Sequence, residues 1–175
     1  MKLLELPGLR QTFNFDCGAI ALESVLVYYG IEVREDILMK SVGTTKKGTP
    51  IPGILKTAKK YGLKSVSRSM DILEIKKYLD KKIPIILLLQ AWTNKNRVDW
   101  KNDWADGHYA VAVGYDKNKI YFDDPSSFKL AYLTYKELAE RWHDVDIQGK
   151  KYFNHGIALY GKKIKFNNKS IEHMG

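Results

Sequence analysis

The chain has 175 residues, enough for one domain or two lobes sharing a core, and its 45% apolar and 12% aromatic content excludes a disordered chain. The formal charge of +9 comes from 29 Lys and Arg against 20 Asp and Glu, spread as short lysine pairs and not gathered into one arm. No phosphate-cradling glycine loop, zinc-finger spacing or RNA-binding aromatic motif accompanies them, so the lysines read as solvated surface, and no nucleic-acid partner is expected. In chain order, residues 1–8 lack the apolar stretch of a signal peptide. Cys17 to Tyr29 carries a helical stripe at Ile20, Ala21, Val25 and Tyr28, with Asp16 as the expected N-cap and Gly30 as the stop. Arg34 to Lys40 is a short amphipathic helix closed by Gly43, and Thr44 to Pro50 a polar loop. Ile54 to Tyr61 is a helix stopped at Gly62, and Ser65 to Ser69 a short strand. Asp71 opens a helix with Glu74 completing a capping box and Ile72, Ile75 and Leu79 facing inward.

The second half reads mainly as strands. Ile83 to Leu89 is the longest apolar run, a buried strand far shorter than the ~20 residues that cross a membrane. Tyr109 to Tyr115 and Lys119 to Asp123 form a hairpin around Asp116-Lys117-Asn118. Leu130 to Leu133 is a further strand, Thr134 to Trp142 a helix with the capping box Thr134/Glu137, and Ile157 to Tyr160 the last strand. Residues 162–175 read as a polar, loosely ordered tail. Between Leu89 and His108 runs a long connection holding Trp92, Trp100 and Trp104, too aromatic for disorder. Those rings either anchor the loop or contact substrate.

Cys17 is the only cysteine, which suits a reducing cytoplasm and removes any intrachain disulfide. Two readings stay open for a lone thiol: a buried small hydrophobe or a nucleophile. Its place at a helix start favours the thiolate, because unpaired N–H groups and the helix dipole stabilise negative charge there. A thiol nucleophile also needs a base, a group orienting that base, and donors for the oxyanion. Of the four histidines, His173 lies in the tail, His143 ends the Thr134 helix, and His155 precedes the last strand. His108 starts one arm of the hairpin whose other arm ends in Asp123-Asp124-Pro125, so a carboxylate falls beside its ring. Pro125 holds Asp124 extended at the strand exit, ready to fix the imidazole tautomer. Gln11, six residues before Cys17, supplies an amide that can join the Cys17 N–H as an oxyanion donor.

The stretch Gln11-Thr12-Phe13-Asn14-Phe15-Asp16-Cys17-Gly18-Ala19 resembles the signature of papain-like cysteine peptidases. More closely it is similar to the bacteriocin-processing, double-glycine-leader peptidase family, found as the N-terminal domain of peptidase-containing ABC transporters. The likeness continues at Tyr28-Tyr29-Gly30, at His108 to Tyr115 and at Ile120 to Pro125, covering roughly Leu6 to Leu133. The resemblance implies an α+β, papain-like fold over residues 1–161, with a helical lobe over about 7–80 and a β lobe over about 83–161. It makes Cys17 the nucleophile, His108 the general base, Asp124 its orienting acid and Gln11 the oxyanion donor, with neither metal nor cofactor. The implied substrate is a leader or precursor peptide cut after small, Gly-Gly-like residues, with an acidic leader drawn to the positive surface. Trp92, Trp100, Trp104 and Tyr109 are the candidate substrate-contacting residues, the tryptophans as a roof that narrows the acyl-side subsites. No transporter or ATPase segment follows, so any export transporter is expected to be a separate chain. The competing readings are an amidase or acyltransferase on the same scaffold, and a non-catalytic module that binds leader peptides.

Overall fold

The computed structural model describes residues 3–175; Met1 and Lys2, the first residues of the segment read as lacking a signal peptide, lie outside them. In chain order the elements are α1 (Cys17–Tyr28), α2 (Glu35–Val42), α3 (Ile51–Lys60), β1 (Lys64–Ser69), α4 (Ile72–Asp80), β2 (Ile85–Gln90), β3 (Gly107–Tyr115), β4 (Lys119–Asp123), β5 (Ala131–Thr134), α5 (Tyr135–Arg141), β6 (His143–Val145), β7 (Lys151–Phe153) and β8 (His155–Tyr160). Six strands make one antiparallel sheet in the order β1-β8-β2-β3-β4-β5, and β6 pairs with β7 alone. None of the helices is long and apolar enough to cross a membrane, among the described residues.

A strand with no polar face needs cover on both sides, and β2 receives it. Ile86 and Leu88 pack with α1, α2 and α3, while Ile85, Leu87 and Leu89 pack with α4 and α5. β3 divides the same way, with Tyr109, Val111 and Val113 toward the first core and Ala110 and Ala112 toward the second. The central helix is α1, whose Leu22, Val25 and Leu26 have no exposure. Burying each such side chain stabilises the fold by about 1.5–3 kcal/mol.

One irregularity in the sheet sets the geometry of the site. β4 pairs Ile120 with Tyr115 and Tyr121 with Gly114, but then Phe122 with Ala112 and Asp123 with Val111. Val113 is thus an extra residue on β3, a β-bulge. Its carbonyl accepts the Leu4 N–H at 2.8 Å, so the bulge leaves no orphan acceptor there. Side chains alternate faces along a strand, so one extra residue moves everything beyond it to the other face. With the bulge, Asp124 continues β4 opposite Ala110 and shares a face with His108. Without it, Asp124 would fall opposite Val111, on the face away from His108.

Both capping boxes form as the sequence predicts, at Asp71/Glu74 and Thr134/Glu137. Other expectations need correction. Asp16 does not cap α1 with its side chain. Helix α3 begins at Ile51, three residues earlier than predicted, because a proline at position 52 fits a first helical turn, where its missing N–H is not needed. β1 belongs to the sheet, alongside β8, although it lies inside the stretch read as helical lobe. β6 and β7 have no counterpart in the sequence reading, and His143 opens β6 instead of ending α5. The start of the tail is anchored, since the N–H groups of Lys165 and Phe166 both donate to the Tyr28 carbonyl at the end of α1.

Candidate active site

The first turn of α1 is pressed against β3. A Cβ on Gly18 would come within 2.7 Å of the Thr49 Cβ and 3.0 Å of the Tyr109 ring, so only glycine allows that approach. Tyr109 locks the contact by donating its hydroxyl to the Thr49 carbonyl at 2.8 Å. The Cys17 thiol is thereby held beside His108, near enough to act on the charge of its ring. Asp16, fully buried, turns away from the helix, and its Oδ2 accepts the N–H groups of Thr12 and Phe13, each at 3.1 Å. The first-turn N–H groups, including that of Cys17, are consequently left without a side-chain cap.

His108 Nε2 lies 2.9 Å from Asp124 Oδ1, both side chains being almost fully buried. The ring nitrogen donates and the carboxylate accepts, which directs the other ring nitrogen to the thiol. Burial pushes the imidazole down in pKa, but the hydrogen bonds to Asp124 and Cys17 and the charges of both outweigh it and raise His108 to about 10. Asp124 shifts the other way. Burial opposes its ionisation, yet the His108 bond and charge and the N–H groups of Ser126 and Trp92 hold it below the usual carboxylate range. Asp124 Oδ1 also accepts the Ser126 N–H at 2.7 Å, and Oδ2 accepts Trp92 Nε1–H at 3.1 Å. The neighbouring Asp123 faces the opposite side of the sheet, where burial raises its carboxyl to about 6.

Gln11 reaches this cluster from the folded loop before Cys17. Its backbone N–H donates to the Pro125 carbonyl at 2.9 Å. Its Oε1 accepts the Ser126 hydroxyl at 2.8 Å, and its Nε2 donates to the Phe13 carbonyl at 2.5 Å. A primary amide has two N–H donors, and the second has no acceptor among the described residues. Cys17, His108, Asp124 and Gln11 therefore gather at one place from three distant parts of the chain.

The tryptophans are placed differently from one another. Trp92 touches Asp124 itself, with a left-handed φ of 58° that bulky residues seldom adopt. Trp100 lies under the Arg141 guanidinium, 4.0 Å from its ring centroid. Trp104 packs on His143 at 4.5 Å and edge-on to Phe153 at 5.5 Å, so it anchors the loop to the β6–β7 hairpin. Tyr109 is buried behind Gly18 with its hydroxyl already bonded. His155 is remote from this chemistry, bonded to the Ser67 hydroxyl at 2.9 Å, with its pKa lowered by burial. Sequence reasoning missed Asp144 of β6, which lies against Gly107 and near enough to His108 to act on its charge. Burial raises the Asp144 carboxyl to about 6. Nothing in a three-residue strand marks it.

Helices on both faces of an antiparallel sheet, with a thiol at the start of the central helix and an imidazole on the sheet, make a papain-like fold. The chain belongs to the peptidase C39 family, a family of cysteine peptidases, whose sequence pattern matches residues 6–151. It is 27% identical over 135 residues to the pediocin PA-1 transport/processing ATP-binding protein PedD of Pediococcus acidilactici, a match covering 75% of this chain and 17% of that protein. A solved C39-like peptidase from Bacillus anthracis superposes with a TM-score of 0.68 at 19% identity, over 94% of this chain and all of that one. The peptidase domain of Streptococcus ComA, a bifunctional ABC transporter of quorum sensing, gives 0.65 at 24% identity, over 89% and 97%. The chain spans less than a fifth of the length of the curated transport proteins it matches.

Proposed function

We propose that this protein is a thiol peptidase that hydrolyses a peptide bond of a leader or precursor peptide through a Cys17 thioester. The observation that carries the reading is the buried His108–Asp124 pair at 2.9 Å, with the Cys17 thiol beside the same ring. His108 holds the proton given up by the Cys17 thiol, Cys17 Sγ attacks the scissile carbonyl carbon, and the oxyanion is met by the Cys17 N–H and the Gln11 amide. The tetrahedral species collapses as the C–N bond breaks and the His108 proton passes to the leaving amine. Water then adds to the thioester, giving its proton to His108; the C–S bond breaks, the acid product leaves, and the sulfur and His108 share that proton as at the start. Asp124 keeps the imidazole in the required orientation throughout.

Selectivity for small residues before the scissile bond follows from cover over the reacting groups: Cys17 is 8% and His108 5% exposed. On this reading a glycine pair fits the approach to the thiol and a branched side chain is excluded by overlap. Three similar proteins support a leader peptide as substrate: one solved relative is a double glycine motif protease in complex with the leader peptide, and two others are bacteriocin transport/processing ATP-binding proteins. An export transporter is the partner this reading implies, and a reducing compartment such as the cytoplasm keeps the thiol free.

The test is cleavage of matched peptides carrying Gly-Gly, Leu-Leu or Phe-Phe before the scissile bond. Wild type should cut the Gly-Gly peptide at least about tenfold faster, and Cys17→Ala and His108→Ala should leave no turnover while His155→Ala remains active. Equal rates on all three peptides would defeat the specificity. Turnover by Cys17→Ala would defeat the mechanism.

A further inference from the structure

Three hydrogen bonds converge on the turn that follows β4. The Ser126 N–H donates to Asp124 Oδ1 at 2.7 Å, the Ser126 hydroxyl donates to Gln11 Oε1 at 2.8 Å, and the Gln11 N–H donates to the Pro125 carbonyl at 2.9 Å. Ser126 and Gln11 lie 115 residues apart in the chain. We infer that Ser126 is a positioning residue that orients the Gln11 amide for the oxyanion while holding the Asp124 carboxylate against His108, so that both halves of the machinery share one anchor.

The amide orientation carries the argument. The Phe13 carbonyl can only accept, so the Gln11 group facing it at 2.5 Å is the NH2 end. The opposite, oxygen end faces the Ser126 hydroxyl, which donates to it. Without that hydroxyl, Oε1 has no protein donor among the described residues, and the bond to the Phe13 carbonyl is the one side-chain contact left to hold the amide, which can then swing about it. An amide that swings withdraws its free N–H from where the oxyanion develops, and that attraction is lost. The backbone N–H that holds Asp124 belongs to the same residue but does not depend on its side chain. Replacing the serine therefore separates the two functions.

The inference rests on the oxyanion role proposed for Gln11, and the experiment tells the two apart. Two rates are followed in each variant: Gly-Gly peptide hydrolysis, which passes through an oxyanion, and iodoacetamide alkylation of Cys17, which displaces iodide at a saturated carbon and forms none. Ser126→Ala should lower kcat about tenfold with KM and the alkylation rate each within about twofold of wild type, and Ser126→Thr should recover most of the loss. Gln11→Ala and the Gln11→Ala/Ser126→Ala double variant should hydrolyse equally slowly, because the serine acts only through the glutamine. An unchanged kcat in Ser126→Ala, a loss confined to KM, an equal fall in alkylation, or losses that multiply in the double variant each overturn the inference while leaving Gln11 as proposed. Full hydrolysis by Gln11→Ala alone overturns the oxyanion assignment, and the role of Ser126 falls with it.

Discussion

Replacing Asp124 with Asn keeps the volume of the side chain and one oxygen acceptor but removes the charge facing His108. In the wild type the folded chain retains the His108 proton up to about pH 10, whereas an unfolded chain releases it near 6.5. The stabilisation from that proton is complete below about pH 6.5, declines as pH rises, and is gone above about 10. Each pH unit within this window removes about 1.4 kcal/mol, on the order of 5 kcal/mol over the whole of it. Asp124 supplies one of the two bonds and charges that work against burial, so without it the imidazole should release its proton far closer to neutrality. The assay is urea unfolding of wild type and Asp124→Asn at pH 7, 8, 9 and 10. Wild-type stability should fall steeply over that range and the variant's slope should be less than half as steep, the remaining titratable groups being common to both. At pH 7 the variant should be less stable by roughly 2–3 kcal/mol, toward the low end for a broken buried pair because Asn still accepts a hydrogen bond. Parallel curves would show that the aspartate charge does not hold the proton, and the electrostatic account of the site would be wrong.

Gly18→Ala should destabilise the fold by about 1–3 kcal/mol, a melting-temperature loss of several degrees, because the new methyl meets Thr49 and Tyr109 inside van der Waals contact; an unchanged melting curve would show that the 44–50 loop yields freely. Asp16→Ala should leave the N–H groups of Thr12 and Phe13 without their acceptor and cost about 1 kcal/mol. Hydrogen exchange at those two amides should quicken, and protection equal to wild type would refute the role. Trp92→Phe should keep the ring cover over Asp124 but lose its N–H donor. The Asp124 carboxyl, followed by carbon NMR against pH, should then titrate higher than in the wild type, and an identical titration would show the indole to be cover alone.

How far the site was legible follows from where its signals lie. Cys17 is marked by being the only thiol and by standing at a helix start, and both marks are local. His108 and Asp124 are brought near each other by a hairpin whose turn, Asp116-Lys117-Asn118, is also local. Nearness did not decide which face Asp124 occupies. That depends on the bulge at Val113, and a valine in a run of β-formers gives no sign of an extra residue. The pairing to His108 was thus reached by proximity while the reason for it stayed hidden. β6 and β7 were invisible because strands of three residues are too short for alternation to register. The roles of Asp16 and Ser126 were hidden differently: each looks like an ordinary cap or turn residue, and only the folded loop reveals what its polar atoms hold. The tryptophans share one loop in sequence, but in space Trp92 meets the aspartate while Trp100 and Trp104 grip α5 and the β6–β7 hairpin.

β8 sits between β1 and β2, pairing with both, although it is the last strand in the chain. The hydroxyl of Tyr29, beside the end of α1, donates to the Leu159 carbonyl at 2.8 Å, a contact between residues 130 apart. The helix that carries the thiol is therefore made well before the strand that braces it. Until β8 emerges, β1 has no neighbour in the sheet, β2 shows an open hydrogen-bonding edge, and α1 lacks part of the surface it rests on. Such long-range closure slows folding and leaves sticky edges exposed in the meantime. It also acts as a timer: from the synthesis of α1 until that of β8, the nascent chain carries its nucleophile without the whole of the frame around it.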